Sequence, residues 1–200
     1  VAASSGETWF VGSVNGGVWR TPSISAPVPA WTNVLDGQNV TCQSIAALHV
    51  SLVNPKRVFA GCGGSTSSEQ GSDWDVMNSG EWSGVMVSED TGSTWKMTSF
   101  PPNYYVTDVL ELPSATLLVS AQSHLFDRED GGIWLSKDGG MTFTRVSKQP
   151  TFTLNKAGRD VIATHARLPN GAVSASSDGG QTWNDFGSTQ LDWGKGATPF

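Results

Sequence analysis

Three stretches of this sequence place a serine, a carboxylate, a glycine, a threonine and an aromatic ring at the same offsets. They are Ser88-x-Asp90-x-Gly92-x-Thr94-Trp95, Ser136-x-Asp138-x-Gly140-x-Thr142-Phe143 and Ser176-x-Asp178-x-Gly180-x-Thr182-Trp183. A carboxylate in that setting accepts hydrogen bonds from the N–H groups of its own turn. The glycine supplies a positive φ without a β-carbon clash. Thr and the aromatic are expected to begin the next strand, with the ring packing between neighbouring sheets. The chemistry expected of Asp90, Asp138 and Asp178 is turn closure rather than proton transfer.

Other acidic residues lie outside these stretches. Asp73-Trp74-Asp75, with Asn78 and Glu81, offers oxygen ligands of the kind Ca²⁺ takes. The spacing is not that of an EF-hand, so a solvated polar loop is the plainer reading and Asp73 and Asp75 remain a weak calcium candidate. No other cofactor is expected. Asp127, Glu129 and Asp130 flank Arg128, and His165 and Arg167 form a third polar group. Flat rings from Trp74, Trp82, Tyr104 and Tyr105 beside these carboxylates would suit a sugar, unless Trp82 and Tyr105 are core. His49, His124 and His165 have no metal-ligand spacing, so no metal is assigned to them. No nucleophile elbow, phosphate-binding glycine loop or Cys/His catalytic arrangement is present, and no catalytic residue is assigned.

The elements that must position these side chains are short strands. Thr8 to Gly12, Val18 to Thr21 and Trp31 to Val34 read as the first unit, which lacks an innermost strand. Thr21 and Trp31 match the ends of a repeat whose middle has degenerated. Ile45 to Val50, Arg57 to Gly61, Gly84 to Ser88 and Thr94 to Thr98 form a second unit, interrupted by a polar insertion over Gly63 to Trp82. Two further four-stranded units follow. The repeat aromatics fall at 31, 95, 143 and 183, so the periods are 64, 48 and 40 residues, the longest containing the insertion, and no amphipathic helix period is visible. Four-stranded units of that length are propeller blades. The fold class is all-β, a β-propeller or part of one, in a single domain with blades near 1–36, 40–99, 104–147 and 149–187. Residues 188–200 are a tail or the start of another blade. Either this tail closes a four-bladed ring by completing the first blade, or the chain is a segment of a larger propeller, which is the preferred reading.

In such blades the loops joining strands two and three share one face with the blade-to-blade connections, and the repeat turns occupy the other. Asp73, Trp74, Asp75, Glu81, Asp127, Glu129, Asp130, His165 and Arg167 are therefore expected on one face, as a candidate binding face.

The chain has 200 residues with a net charge of −6, enough for one domain with a real core. The acidic balance argues against nucleic acid and anionic membrane partners. No apolar run approaches a membrane span. Cys42 and Cys62 lie on either side of the turn at Asn54-Pro55, so a hairpin would bring them opposite each other; they are read either as a cross-strand disulfide or as two buried thiols. Asn39-Val40-Thr41 is a glycosylation sequon. Together these lean toward an oxidising, secreted or lumenal setting.

The repeat resembles the Asp-box (BNR) repeat of sialidase-like propellers. The stretch from Phe10 to Thr21, with Gly12 and Gly16-Gly17, is similar to the opening of xyloglucan-cleaving endoglucanases, and Asn54 to Gly61 to their inter-strand turn and second strand. Sortilin-type receptors and the plastid photosystem II assembly factor share the repeat. The resemblance implies a superfamily and not one activity. Those endoglucanases carry a catalytic Asp in the turn before Gly-Gly, where this chain has Val14, which can neither donate a proton nor stabilise an oxocarbenium ion. The arginine triad and Tyr–Glu pair that sialidases use have no evident counterpart, as Arg20 lacks the family's context and Tyr104-Tyr105 has no Glu partner. A non-catalytic module binding a protein or carbohydrate partner is expected, with a hydrolase whose acids lie elsewhere, or an organellar assembly factor, as alternatives.

Overall fold

The computed structural model describes residues 2–63, 83–123, 131–165 and 173–186. They form sixteen strands in four antiparallel sheets, each a simple meander. The first sheet holds β1 (Ala2–Ser5), β2 (Thr8–Ser13), β3 (Gly17–Thr21) and β4 (Thr32–Asn33). The second holds β5 (Ile45–Val50), β6 (Val58–Cys62), β7 (Val85–Ser88) and β8 (Lys96–Met97). The third holds β9 (Tyr104–Glu111), β10 (Leu117–Ser123), β11 (Gly131–Ser136) and β12 (Thr144–Ser147). The fourth holds β13 (Thr151–Ala157), β14 (Asp160–His165), β15 (Val173–Ser176) and β16 (Asn184–Phe186). The first strands of successive sheets meet, β1 against β5, β5 against β9 and β9 against β13. These are the inner strands of consecutive propeller blades.

Burial follows from the stacking. Each strand presents alternate residues to opposite faces. In the second and third blades both faces are covered, so β6, β7 and β11 are buried along their whole length. In the end blades one face is covered, and β2 and β14 alternate buried with partly exposed residues. Three apolar cores result among the described residues. Phe10, Val18 and Leu35 pack on Val58, Met86 and Trp95. Phe59 and Val85 pack on Val106, Leu117 and Trp134, and Leu118 and Ile133 on Leu154 and Val161.

Three expectations are corrected. The first blade does have an inner strand: Ala2–Ser5 pairs along β2, with Ala3 opposite Phe10, so the place a returning tail would take is filled. Its Ala-Ala-Ser-Ser sequence carries no apolar alternation, and its residues alternate between exposed and half-buried. The repeat's Thr and aromatic precede the fourth strand rather than begin it, since β8 starts at Lys96, β12 at Thr144 and β16 at Asn184. The first blade has no repeat turn: the Thr21 hydroxyl donates to the Ser23 carbonyl, and Trp31 stays 38% exposed where Trp95 is 7% exposed.

Candidate functional site

The turns between third and fourth strands in the second, third and fourth blades share one hydrogen-bond pattern. The Ser88 hydroxyl donates to Asp90 Oδ1 (2.9 Å) and accepts from Gly92 N–H (2.7 Å). Asp90 Oδ1 accepts from Ser93 and Thr94 N–H, at 3.0 and 2.8 Å, and Oδ2 from the Thr94 hydroxyl at 2.7 Å. Ser136, Asp138, Gly140 and Thr142 repeat the arrangement, as do Ser176, Asp178, Gly180 and Thr182. The indoles of Trp95 and Trp183 each donate to the carbonyl of the turn glycine at 3.1 Å. Phe143, without an N–H, packs edge-on against Phe100.

These bonds set the charge state. The Thr142 hydroxyl and N–H, then the Ser136 hydroxyl, hold Asp138 at about 2, and the Thr182 hydroxyl and N–H do the same for Asp178. At Asp90, partial desolvation opposes ionisation, and the bonds from Thr94, Ser88 and Ser93 outweigh it to leave the carboxyl at about 2. A carboxylate so saturated is a poor proton carrier near neutral pH.

The second strands end, and the third strands begin, at the opposite edge of each sheet from these turns. Asp73, Trp74, Asp75, Glu81, Asp127, Glu129, Asp130 and Arg167 lie outside the described residues. What is described is the frame on which their segments are mounted. Cys42 and Cys62 form a disulfide with Cα atoms 5.8 Å apart. It fastens the connection between the first two blades to the end of β6, one residue before Gly63. Gly63 has φ +130°, and a β-carbon there would lie 2.5 Å from the Tyr105 ring. Tyr104 packs against Trp134 with ring centroids 4.8 Å apart, and the Arg145 guanidinium lies 5.1 Å over the same indole. Arg145 also donates to the Gly131 carbonyl, fixing the start of β11.

His165 is corrected from the candidate binding face to the interior. It ends β14 and is 6% exposed. Nδ1 lies 3.0 Å from the Thr151 hydroxyl and Nε2 lies 2.7 Å from that of Ser174. Burial lowers its pKa, against the opposing pull of Asp185. With both nitrogens occupied by buried hydroxyls, it anchors the strand ends and offers nothing to a ligand.

Val14 stands 39% exposed at the β2–β3 turn, beside Asn15 with φ 62°. Asn39 is exposed in the connection between β4 and β5. Two acids, Glu111 buried and Asp108 half-buried, were not singled out by sequence. Glu111, 1% exposed, accepts from the Ser51 hydroxyl (2.5 Å) and Leu52 N–H (2.8 Å), joining the second and third blades. Asp108 accepts from Leu154 N–H at 2.8 Å, joining the third and fourth, and burial raises its pKa. Neither sits in a recurring motif, so spacing held no signal for them. A shallow cleft between the turns of the second and third blades is lined by Arg57, Glu89, Lys96 and Asp138, but Arg57 and Glu89 pair with each other at 2.9 Å. Among the described residues no group of three or more His, Cys, Asp or Glu is placed to hold a metal ion.

The fold is that of a β-propeller, and its relatives agree. No protein-family model matches the chain. A curated xyloglucanase of Hypocrea jecorina (strain QM6a) is 29% identical over 195 residues, covering 92% of this chain and 20% of the relative. An ancestral GH74 enzyme superposes with a TM-score of 0.69 at 12% identity, over 96% of this chain and 24% of that one. The GH74 enzyme of Niastella koreensis gives 0.63 at 16% identity, over 89% and 27%. YCF48 bound to D1 peptide gives 0.56 at 13% identity, over 92% and 52%. The chain thus spans about a fifth of the length of its curated relative and about a quarter of the solved GH74 chains.

Proposed function

We propose that this chain is a non-catalytic propeller module that presents its inter-strand loops to a carbohydrate or protein partner. The observation that carries this reading is the valine at the β2–β3 turn. In the endoglucanases it resembles, that turn bears a catalytic aspartate, and Val14 has no ionisable group with which to protonate or stabilise a sugar. Asp90, Asp138 and Asp178 act as Asp-box turn caps, an assignment supported by carboxylates fully occupied within their own turns. The four blades, near residues 1–36, 40–99, 104–147 and 149–187, work as one unit, with 188–200 a tail or the start of another blade. The disulfide and the exposed Asn39 sequon support an extracellular or lumenal setting. Among the described residues no helix is long and apolar enough to cross a membrane.

The experiment is a binding screen against xyloglucan and related glycans, run beside a reducing-sugar release assay. Retention without release supports the reading, and Asp73→Asn with Asp75→Asn and Trp74→Ala should then weaken retention without altering the melting temperature. Release of sugar by the chain itself would overturn it.

A second reading is favoured by the xyloglucanase at 29% identity. In it the chain is one part of a glycoside hydrolase whose acid pair lies outside these residues. Hydrolysis by a longer protein containing this chain, with none by the chain alone, would favour it.

A further inference from the structure

A cleft of about 320 Å³ opens between the second and third blades, at the edge where the repeat turns lie. That is the small end of the range for ligand sites, about 300–1,000 Å³. Strand pairing explains what lines it. Phe59 pairs with Val87, and Val87 with Lys96. Partners across a ladder share one side of the sheet. Phe59 and Val87 belong to the core shared with the third blade, so Lys96 is turned toward that blade too. Arg57 and Glu89 lie two residues beyond Phe59 and Val87, again on that side. The opposite wall is the third blade's repeat turn, from Asp138 to Met141.

The other two junctions are bridged at this place. Arg20 of the first blade donates to the Thr91 carbonyl at 2.7 Å and the Ser93 hydroxyl at 3.2 Å. Lys137 of the third blade donates to Gln181 Oε1 at 2.9 Å. Ser93, Met141 and Gln181 hold one position, five residues after the repeat serine. In the middle junction it is Met141, 71% exposed, whose thioether is only a weak acceptor. The cations there keep their donors. Arg57 Nε donates to both oxygens of Glu89, at 2.9 and 3.1 Å. Among the described residues no hydrogen bond takes Arg57 Nη1 or Nη2, or Lys96 Nζ. Nη1 stands 3.4 Å from where a β-carbon on Gly139 would be, so the outer edge of the guanidinium lies over the turn. The carboxylates, by contrast, are engaged. Both Glu89 oxygens take Arg57, and Asp138 takes the Ser136 hydroxyl, Thr142 N–H and the Thr142 hydroxyl. The cleft therefore offers open donors from two cations beside the aliphatic Val87 and Met141.

We infer that this cleft binds an acidic peptide segment, with a carboxylate on the outer edge of Arg57 and on Lys96 and a neighbouring aliphatic side chain against Val87 and Met141. The planar guanidinium edge matches a carboxylate in two parallel hydrogen bonds. A peptide is favoured over a sugar acid because no aromatic ring lines the cleft. A methionine wall also adapts its unbranched side chain to irregular apolar groups. The long-range field of a chain with net charge −6 opposes an anion, so recognition rests on contact with these donors. The site lies at the edge of the repeat turns, apart from the loops that the proposed function uses.

The test is fluorescence anisotropy of a labelled hexapeptide of alternating glutamate and leucine, titrated with the chain. Wild type should bind it saturably, and the same peptide with glutamine for glutamate should bind about tenfold more weakly. Lys96→Glu should weaken the acidic peptide by about tenfold or more, and Lys96→Arg, which keeps the charge, should retain it. Arg57→Lys keeps the charge but loses the planar edge, and should also weaken binding. Lys148→Glu is the control: it makes the same change of net charge at an exposed residue past the end of β12 remote from the repeat turn, and it should bind as wild type does. Absence of saturable binding by wild type would overturn the proposal. So would full binding by Lys96→Glu, or an equal loss in Lys148→Glu, which would make the effect one of overall charge. Binding of trigalacturonate in place of the peptide, lost in Lys96→Glu, would make the cleft a sugar-acid site and would overturn it as well.

Discussion

Gly180 lies against Leu118 of the preceding blade so closely that a β-carbon on the glycine would come within 2.6 Å of Leu118 Cδ2. The same approach joins Gly92 to Phe10, at 2.8 Å, and Gly140 to Thr98, at 3.0 Å. Each repeat glycine also has positive φ, +77°, +92° and +88° in chain order. Two constraints meet at one residue: a backbone conformation and a contact between blades. Gly180→Val should therefore lower stability by more than backbone strain alone, because overpacking adds about 1–3 kcal/mol. Gly158→Ala is the control, with φ +63° and nothing within 4 Å of an added β-carbon. Urea midpoints of the two variants should differ clearly, with Gly180→Val the lower.

The second prediction concerns the buried serine of each turn. Ser176 is 0% exposed, and its hydroxyl serves both Gly180 N–H and Asp178. Ser176→Ala leaves a buried N–H without its acceptor, at a cost of about 1–3 kcal/mol. Asp178→Ala exposes its turn donors to water instead, so it should cost less, and it should leave glycan or partner binding unchanged. Thermal melts beside the binding assay read both. Loss of binding in Asp178→Ala at an unchanged melting temperature would contradict the turn-cap assignment.

The pH profile should have two stages. Burial lowers the folded pKa of His49, against the pull of Glu111, and of His165, against that of Asp185. Their stabilising contribution is complete above the unfolded value of about 6.5 and is lost as pH falls from there toward the lowered folded values. The turn aspartates, at about 2 when folded, contribute above their unfolded value of roughly 3.9 and lose that contribution as pH falls through about 2. Because these carboxylates are exposed, the acid stage should be modest and weaken with salt. His165→Gln should reduce the first stage, and asparagine at Asp90, Asp138 and Asp178 together should flatten the second.

The blade repeat was legible because its physics is local. A serine, an aspartate and a threonine closing one turn must keep their offsets, so Ser88 to Thr94 can be matched to Ser176 to Thr182 by eye. The inner strand Ala2–Ser5 was not legible, because its stability comes from pairing with β2 rather than from any pattern of its own. His165 was misplaced for a related reason. Sequence order put it beside Arg167 at a loop, and only the fold brings the Thr151 and Ser174 hydroxyls to its two nitrogens. Glu111 and Ser51 are 60 residues apart, and nothing in either neighbourhood announces the bond.

The last prediction concerns the disulfide. Cys42 and Cys62 are separated by 20 residues and both are 0% exposed. They sit in the core between the first two blades, at the base of the segment that carries Asp73 to Glu81. A cross-link closing a loop of that length removes unfolded-state entropy worth about 3 kcal/mol in the chain-entropy model. Cys42→Ala with Cys62→Ala should lower the unfolding free energy by that order, and the wild type in strong reductant should approach the double variant. Because the bond also tethers the segment that follows Gly63, the variant should lose partner affinity by more than its folded fraction explains. Urea unfolding with and without reductant measures the first effect, and binding at a temperature where both proteins are folded measures the second. Equal stability of oxidised and reduced wild type would remove the disulfide from the account of what holds these two blades together.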